Sequence, residues 1–313
     1  MSTVSRLLHA RATIQAAVDR AGARLASLPP AAQGILWTSV AGIVFSGLNA
    51  LMRHLGQDVA AFQSQFLRYF FGLVVLVPLF MRHGLRAYRP HAVGGQFLRG
   101  AMHTAGLCLW FVALPKIPLA DMTAIGFTTP LFIMLGAWLF FREAMRWERW
   151  LATALGFIGV LVVVGPKLSF TASGPGLYHL VMLASAPLFA ASFLITKALT
   201  RYETTGTILV WQSITISLYS LPLAWAVWQP LSAGQWFAFG LCGLLGSVGH
   251  YCLTQSFKVA DISATQSAKF LDLVWAAAIG YAVFSEVPTW STIAGSVLIS
   301  AATIWVTRRE ARR

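Results

Sequence analysis

Apolar stretches recur along this chain from residue 34 to residue 307, separated by short gaps that carry charge, proline or glycine. A membrane-crossing helix needs about 20 mostly apolar residues. On that scale the pattern predicts ten spans, over 34–52, 60–80, 95–114, 119–141, 148–165, 176–197, 206–228, 235–257, 262–284 and 289–307. Proline and glycine at 115, 118, 165–166, 174–175, 230 and 288 punctuate them. Residues 1–32 stand apart. Leu7, Leu8, Ile14, Val18 and Leu25 approximate one helical face with arginines between them, and no apolar h-region marks a cleaved signal. Either a surface helix on the inner leaflet or a disordered tail fits that pattern.

The gaps set the orientation. Seventeen of the 23 lysines and arginines fall in the segments that share a side with the N-terminus, and only Arg53, Lys116 and Lys167 fall in the others. Basic loops stay cytoplasmic. Both termini are therefore expected inside, with an even number of spans. Composition agrees, since 57% of the 313 residues are hydrophobic and 11% are charged, against roughly 25% charged in soluble domains. The net charge of +13 is explained by this placement. No nucleic-acid-binding motif accompanies it. Cys108, Cys242 and Cys252 lie inside apolar runs without a CxxC pair, so neither a disulfide framework nor a zinc site is expected.

The stretch TTPLFIMLGAWLFFRE (128–143) has a counterpart in LDLVWAAAIGYAVFSE (271–286). Glu143 aligns with Glu286, Phe141 with Phe284, Trp138 with Tyr281 and Phe132 with Trp275. Four residues beyond each glutamate stands a tryptophan, Trp147 and Trp290. The chain thus reads as two halves of five spans. Because five is odd, the second half must be inverted in the membrane, a signature of secondary transporters with a site near the midplane. The expected fold class is an all-α polytopic membrane protein with ten transmembrane helices in two inverted five-helix repeats. The expected division is a cytoplasmic extension over 1–32, repeats over 33–173 and 174–308, and a basic tail over 309–313.

Several residues inside the spans need a reason, because a charge at the bilayer centre costs roughly 2.5–3.5 kcal/mol on insertion scales. Lys269 and Asp272, three residues apart, share a helix face with Thr265 and Ala276 and can pair. Arg68 sits well inside the second span, Asp121 near the outer end of the fourth. Lys269 or Arg68 could hold a substrate carboxylate or phosphate, with Asp272 orienting the cation or meeting an amine. A self-satisfied structural ion pair explains the same residues. Arg99, near a span end, is expected to snorkel to the headgroups without a further role. His103 and His250 lie within spans, and His179 near a helix end. A histidine there can relay protons for coupling, or serve as a neutral, hydrogen-bonded core residue. Asn49, Trp110, Phe127, Tyr251, Thr254, Gln255 and Gln266 are candidates for a cavity lining. Pro130 lies inside a span, where it can kink the helix as a hinge. Gly240, Gly243, Gly246 and Gly249 suit close helix approach.

The segment WFVALPKIPLADMTAIGFTTPLFIMLGAWLFFRE followed by RWERWLATALGFIGVLVVVGP resembles the EamA-type repeat of the drug/metabolite transporter superfamily. FKVADISATQSAKFLDLVWAAAIGYAVFSE resembles the same repeat, and FLRYFFG (66–72) carries the second-helix arginine typical of the family. The resemblance spans about 34–308. It implies ten helices, a central cavity between halves and alternating access in a bacterial cytoplasmic membrane. The substrates it implies are small organic metabolites, amino-acid-like, carboxylated or heteroaromatic such as riboflavin, with export more frequent than import. Leu273 stands where the family often has proline, so the ninth helix is expected to be straighter. No GxSxG, Walker A, HExxH or metal-ligand spacing occurs, and no cofactor is expected. The expected partners are the substrate, membrane lipids and, for coupling, protons. A membrane-embedded enzyme would need clustered Asp, His or Glu at a water interface. A channel would show a filter or charge ring. Saturable counterflow separates a carrier from a channel.

Overall fold

The computed structural model describes residues 27–113, 125–126, 128–144, 146–164, 176–285 and 290–311. The N-terminal extension up to residue 26, Lys116, Asp121, Phe127, Lys167, the Gly174–Pro175 junction and Glu286 lie outside the described residues. The apolar runs form α1 (Pro30–Leu55), α2 (Ala61–His83), α3 (Val93–Ala113), α4 (Thr129–Phe141) and α5 (Trp147–Val164). They continue as α6 (Gly176–Leu199), α7 (Thr205–Ala226), α8 (Ala233–Val259), α9 (Ile262–Lys269), α10 (Leu271–Phe284) and α11 (Trp290–Ala311). Local chemistry sets the starts. Pro30 opens α1, Thr204 caps α7 through the Thr207 amide at 3.1 Å, and Ser232 with Gln235 forms a capping box on α8.

Side chains are sorted for lipid. Leu135, Trp138, Leu139 and Phe140 of α4 face outward, while Thr38, Gln63, Gln65, Ser192 and Thr215 are buried. Lipid tails offer apolar side chains as good a surrounding as the protein does, so association falls to small residues and interhelical hydrogen bonds. Gly243 illustrates this. A Cβ there would come within 2.5 Å of the Phe71 backbone carbon, so only glycine lets α8 seat against α2. By length and composition, four described helices suffice to cross a membrane: Pro30–Met52 within α1, Leu180–Leu199 within α6, and α7 and α8.

Pairing of the helices follows the internal repeat. The helix α1 packs on α8 as α6 packs on α3; α2 meets α7, and α5 meets α11. Each tight pair therefore draws one helix from each half. Matching details sit 143 positions apart. Among the described residues, Arg142 (φ 54°) and Ser285 (φ 56°) are the non-glycine residues with positive φ, and they close α4 and α10.

Two sequence expectations change here. The ninth span is not a straight helix. It breaks at Phe270, where the Leu273 amide bonds the Phe270 carbonyl at 3.2 Å, three residues back. The break needs no proline because the fully buried Phe270 ring is seated on Gly156 of α5. Pro130 does not kink a helix interior either. It stands in the first turn of α4, where its missing N–H leaves no bond unmade, and the discontinuity precedes it at Thr128. Thr265 and Ala276 consequently belong to different helices, on either side of the Phe270 junction.

Candidate functional site

The junction between α9 and α10 places the ion pair. Lys269 ends α9, Asp272 lies in the first turn of α10, and Lys269 Nζ donates to Asp272 Oδ2 at 3.0 Å. A carboxylate at a helix start and a cation at a helix end both complement the backbone dipoles. The pair is only partly buried, with side-chain exposures of 20% and 29%. The other carboxylate oxygen, Oδ1, has no hydrogen-bond partner, and neither does Trp275 Nε1 one turn on. Both side chains press on Gly42 of α1, where a Cβ would lie 2.2 Å from Asp272 Oδ1. Absence of a side chain at Gly42 thus admits the carboxylate to the α1 backbone.

Phe45, one turn along α1, connects the pair to a second cluster. Lys269 Nζ sits 5.8 Å from the Phe45 ring centre, and that ring meets His250 edge-on at 5.0 Å. The His250 Nε2 is 3.5 Å from the Tyr69 hydroxyl, which lies 3.0 Å from His103 Nε2. Ser192 Oγ is 3.3 Å from His103 Nδ1. The Arg68 guanidinium stacks 5.1 Å over the Tyr69 ring, and its Nε is buried without a hydrogen-bond partner. A narrow cleft runs beside these groups between Arg68, Gln212, Ser213, Ser247 and His250. The structure therefore draws Arg68, His103, His250, Lys269 and Asp272 into one neighbourhood built from both halves.

Other candidates lie elsewhere. Gln266 is buried on α9, donating to the Ile262 carbonyl and to Thr265 Oγ1, with Oε1 unpartnered. Asn49 is exposed, one turn beyond Phe45. Tyr251 is 40% exposed on α8, accepts from Gln255 Nε2 at 3.0 Å and packs on Trp37 of α1. Trp110 packs with Phe111, Ala113 and Met182 toward the end of α3. Thr254 is buried, and Gln255 also accepts from Thr205. Of His179 only the helical backbone is described.

Arg99 corrects an expectation. It does not snorkel: it is 3% exposed. Its fork donates to Thr196 Oγ1 at 2.5 Å, Gln212 Oε1 at 2.5 Å and the Ile208 carbonyl at 3.2 Å. Three acceptors on α6 and α7 hold it more firmly than headgroups would. Sequence reasoning also passes over Tyr69, Phe45, Ser192 and Gly42. Charge marks none of them, although Tyr69 is the immediate neighbour of Arg68.

Along α6 and α8 the cluster is separated from the basic loops by an apolar layer of Ile133, Ala137, Leu194, Leu253 and Phe257. Beyond that layer opens a cavity of about 480 Å³ lined by Arg142, Glu143, Lys197, Arg201, Lys258 and Asp261. Several of these groups tie helices together. Glu143 accepts from the Ile262 and Ser263 amides at 3.0 Å each and caps α9. Arg149 donates to Asp261 and Ser263, and Lys197 Nζ donates to the Phe257 and Ala260 carbonyls. Glu143, just beyond the end of α4, is therefore the cap of α9.

The EamA-like transporter family matches the chain twice, over residues 32–165 and 176–308. A riboflavin transporter of Rhizobium johnstonii is 34% identical over 283 residues, 90% of this chain and 92% of the relative. An S-adenosylmethionine uptake transporter of Rickettsia felis is 30% identical over 277 residues, 88% and 93% of the two chains. A pseudopaline exporter of Pseudomonas aeruginosa is 29% identical over 279 residues, covering 88% and 96%. One solved crystal structure shares the fold with a TM-score of 0.76 at 18% identity, over 90% of this chain and 98% of the other. With a repeated family match across most of its length and an all-helical fold that turns its apolar side chains outward, the chain belongs to the EamA-like transporter family, as a multi-pass membrane transporter of small metabolites and not an enzyme.

Proposed function

We propose that the protein is a secondary carrier that moves a small zwitterionic or carboxylated metabolite across the bacterial inner membrane by alternating access. In this reading the chain crosses ten times as two inverted repeats, with both termini cytoplasmic and the halves divided near residues 173–174. Lys269 and Arg68 receive a substrate carboxylate, Asp272 receives an amine, and Phe45 and Trp275 flank a flat ring. Gln266, buried one turn before Lys269 on α9, extends the polar lining.

The observation that carries this reading is the partly exposed Lys269–Asp272 pair at a helix break, beside buried polar atoms that lack partners. Discontinuous helices in corresponding positions of two repeats are where transporters bind substrate. An unsatisfied buried polar atom costs about 1–3 kcal/mol, which a bound substrate recovers. The names of the relatives cover both an amino-acid derivative and a heteroaromatic vitamin, in keeping with such a lining. They also include uptake and export, and a carrier of this type runs in either direction as its gradients dictate.

The test is counterflow in proteoliposomes with a panel of amino acids, S-adenosylmethionine, riboflavin and related carboxylated heteroaromatics. Accumulation of one compound class is expected. Lys269→Ala is expected to abolish it without loss of membrane insertion, and normal transport by K269A would remove Lys269 from the site. Misfolding of both K269A and Asp272→Asn, repaired in the double neutral variant, would mark the pair as structural instead.

A further inference from the structure

Tyr69 is the centre of a buried link that runs through four helices. Its hydroxyl on α2 stands between His250 of α8 and His103 of α3, and Ser192 of α6 holds the far nitrogen of His103. Tyr69, His103 and His250 are 4%, 6% and 6% exposed, so bulk water does not short-circuit them. The link also crosses a seam. One side comprises α1, α2 and α8, the other α3 and α6, and α7 packs on both α2 and α3. Tyr69 joins the first group to the second at 3.0 Å, through His103.

A phenol has one proton to donate and lone pairs to accept with. It therefore cannot donate to both histidines at once. When a proton arrives on His250, its Nε2–H donates to the phenol oxygen and the phenol O–H donates to His103 Nε2. Transfer breaks the His250 N–H and the Tyr69 O–H bonds while it forms a new Tyr69 O–H and a His103 N–H. One proton enters, one leaves, and the phenol ends unchanged. The groups that face this path are Arg68 on α2, Arg99 on α3 and Lys269 on α9, with Asp272 of α10 paired to Lys269. Phe45 on α1, Phe189, Ser192 and Phe193 on α6 and Gln212 on α7 add no charge. A substrate carboxylate entering among these cations and a proton entering the histidine pair balance each other.

We propose that Tyr69 is the positioning residue of proton coupling in this carrier. Its hydroxyl passes a proton between His250 and His103 only while the two helix groups are closed on each other, so opening the seam interrupts the path. This rests on the carrier reading above, with His103 and His250 as coupling residues.

The test uses full-length protein in liposomes containing pyranine, with labelled riboflavin and S-adenosylmethionine as probes. For each variant, accumulation driven by an imposed pH gradient is divided by counterflow at equal pH. Tyr69→Phe keeps the ring and its contact with Arg68 but removes the hydroxyl. It is expected to lower that ratio about a hundredfold, the lower range of a positioned proton-transfer group, and to flatten the pH profile of net uptake. His103→Asn is expected to do the same, which covers the case in which Y69F inserts poorly. A Y69F or H103N ratio equal to that of the unmodified protein overturns the role of Tyr69 and leaves the carrier standing. Counterflow without any pH-driven accumulation in the unmodified protein overturns proton coupling as a whole. Absence of counterflow with both probes and with the wider panel overturns the carrier reading itself.

Discussion

Gly42 shows how much a single missing side chain decides. Its bare backbone lets Asp272 Oδ1 and the Trp275 ring lie against α1. Gly42→Ala puts a methyl group 2.2 Å from that oxygen, closer than any contact allows, so α10 must retreat or Asp272 must turn away from Lys269. The expected outcome is a loss of transport with insertion preserved, read by counterflow; a G42A protein with unaltered transport would show that this packing is not needed. Arg99 makes the opposite case, of a charge fixed by geometry. Arg99→Lys keeps the charge but reaches fewer of the three acceptors, because an ammonium lacks the planar fork. Leaving one buried acceptor unmet costs about 1–3 kcal/mol. A drop in thermal midpoint in detergent is expected, and an R99K midpoint equal to that of the unmodified protein would contradict the network.

At the scale of elements, the short helix α9 depends on its cap. Eight residues make a marginal helix, and α9 starts with the Ile262 and Ser263 amides bonded to the Glu143 carboxylate. Glu143→Ala frees both amides and the Ser263 hydroxyl and is expected to destabilise the protein by about 0.5–2 kcal/mol. Because α9 ends in Lys269, transport should fall as well, although Glu143 lies on the other side of the apolar layer from the histidines. Parallel thermal and counterflow measurements on E143A check this, and transport unaffected by a measurable loss of stability would uncouple the cap from the site. The apolar layer itself, in which the Phe193 and Phe257 rings meet edge-on between α6 and α8, lies between the histidines and the basic loops. Beyond it lies the cavity lined by Arg142, Glu143 and Lys197.

The whole molecule is interleaved rather than bipartite. Since α1 pairs with α8 and α3 with α6, the main helix interfaces lie between the two sequence halves and not within either of them. The inverted arrangement has its own test. In a background with Cys108, Cys242 and Cys252 replaced by alanine, Ala144→Cys and Ser285→Cys, just beyond the C-terminal ends of α4 and α10, are expected to react with a membrane-impermeant maleimide from opposite sides. Labelling of both from one side would exclude inversion.

The membrane class, the apolar runs and the repeat were legible in the amino-acid sequence, because each depends on local composition and spacing alone. A run of apolar residues must be helical in lipid to satisfy its own backbone, and the correspondence of Glu143 with Glu286 needs no coordinates. Lys269, Asp272 and Arg68 stood out for the same reason, since a charge in an apolar run is conspicuous wherever it points. Only the tertiary structure decided that the ninth span breaks at Phe270, that Pro130 starts a helix instead of bending one, and that Arg99 turns inward. It alone joined Tyr69 to two histidines from distant parts of the chain. Each of these depends on which neighbour a side chain meets across a helix interface, and helix periodicity says which residues share a face but not what that face will touch.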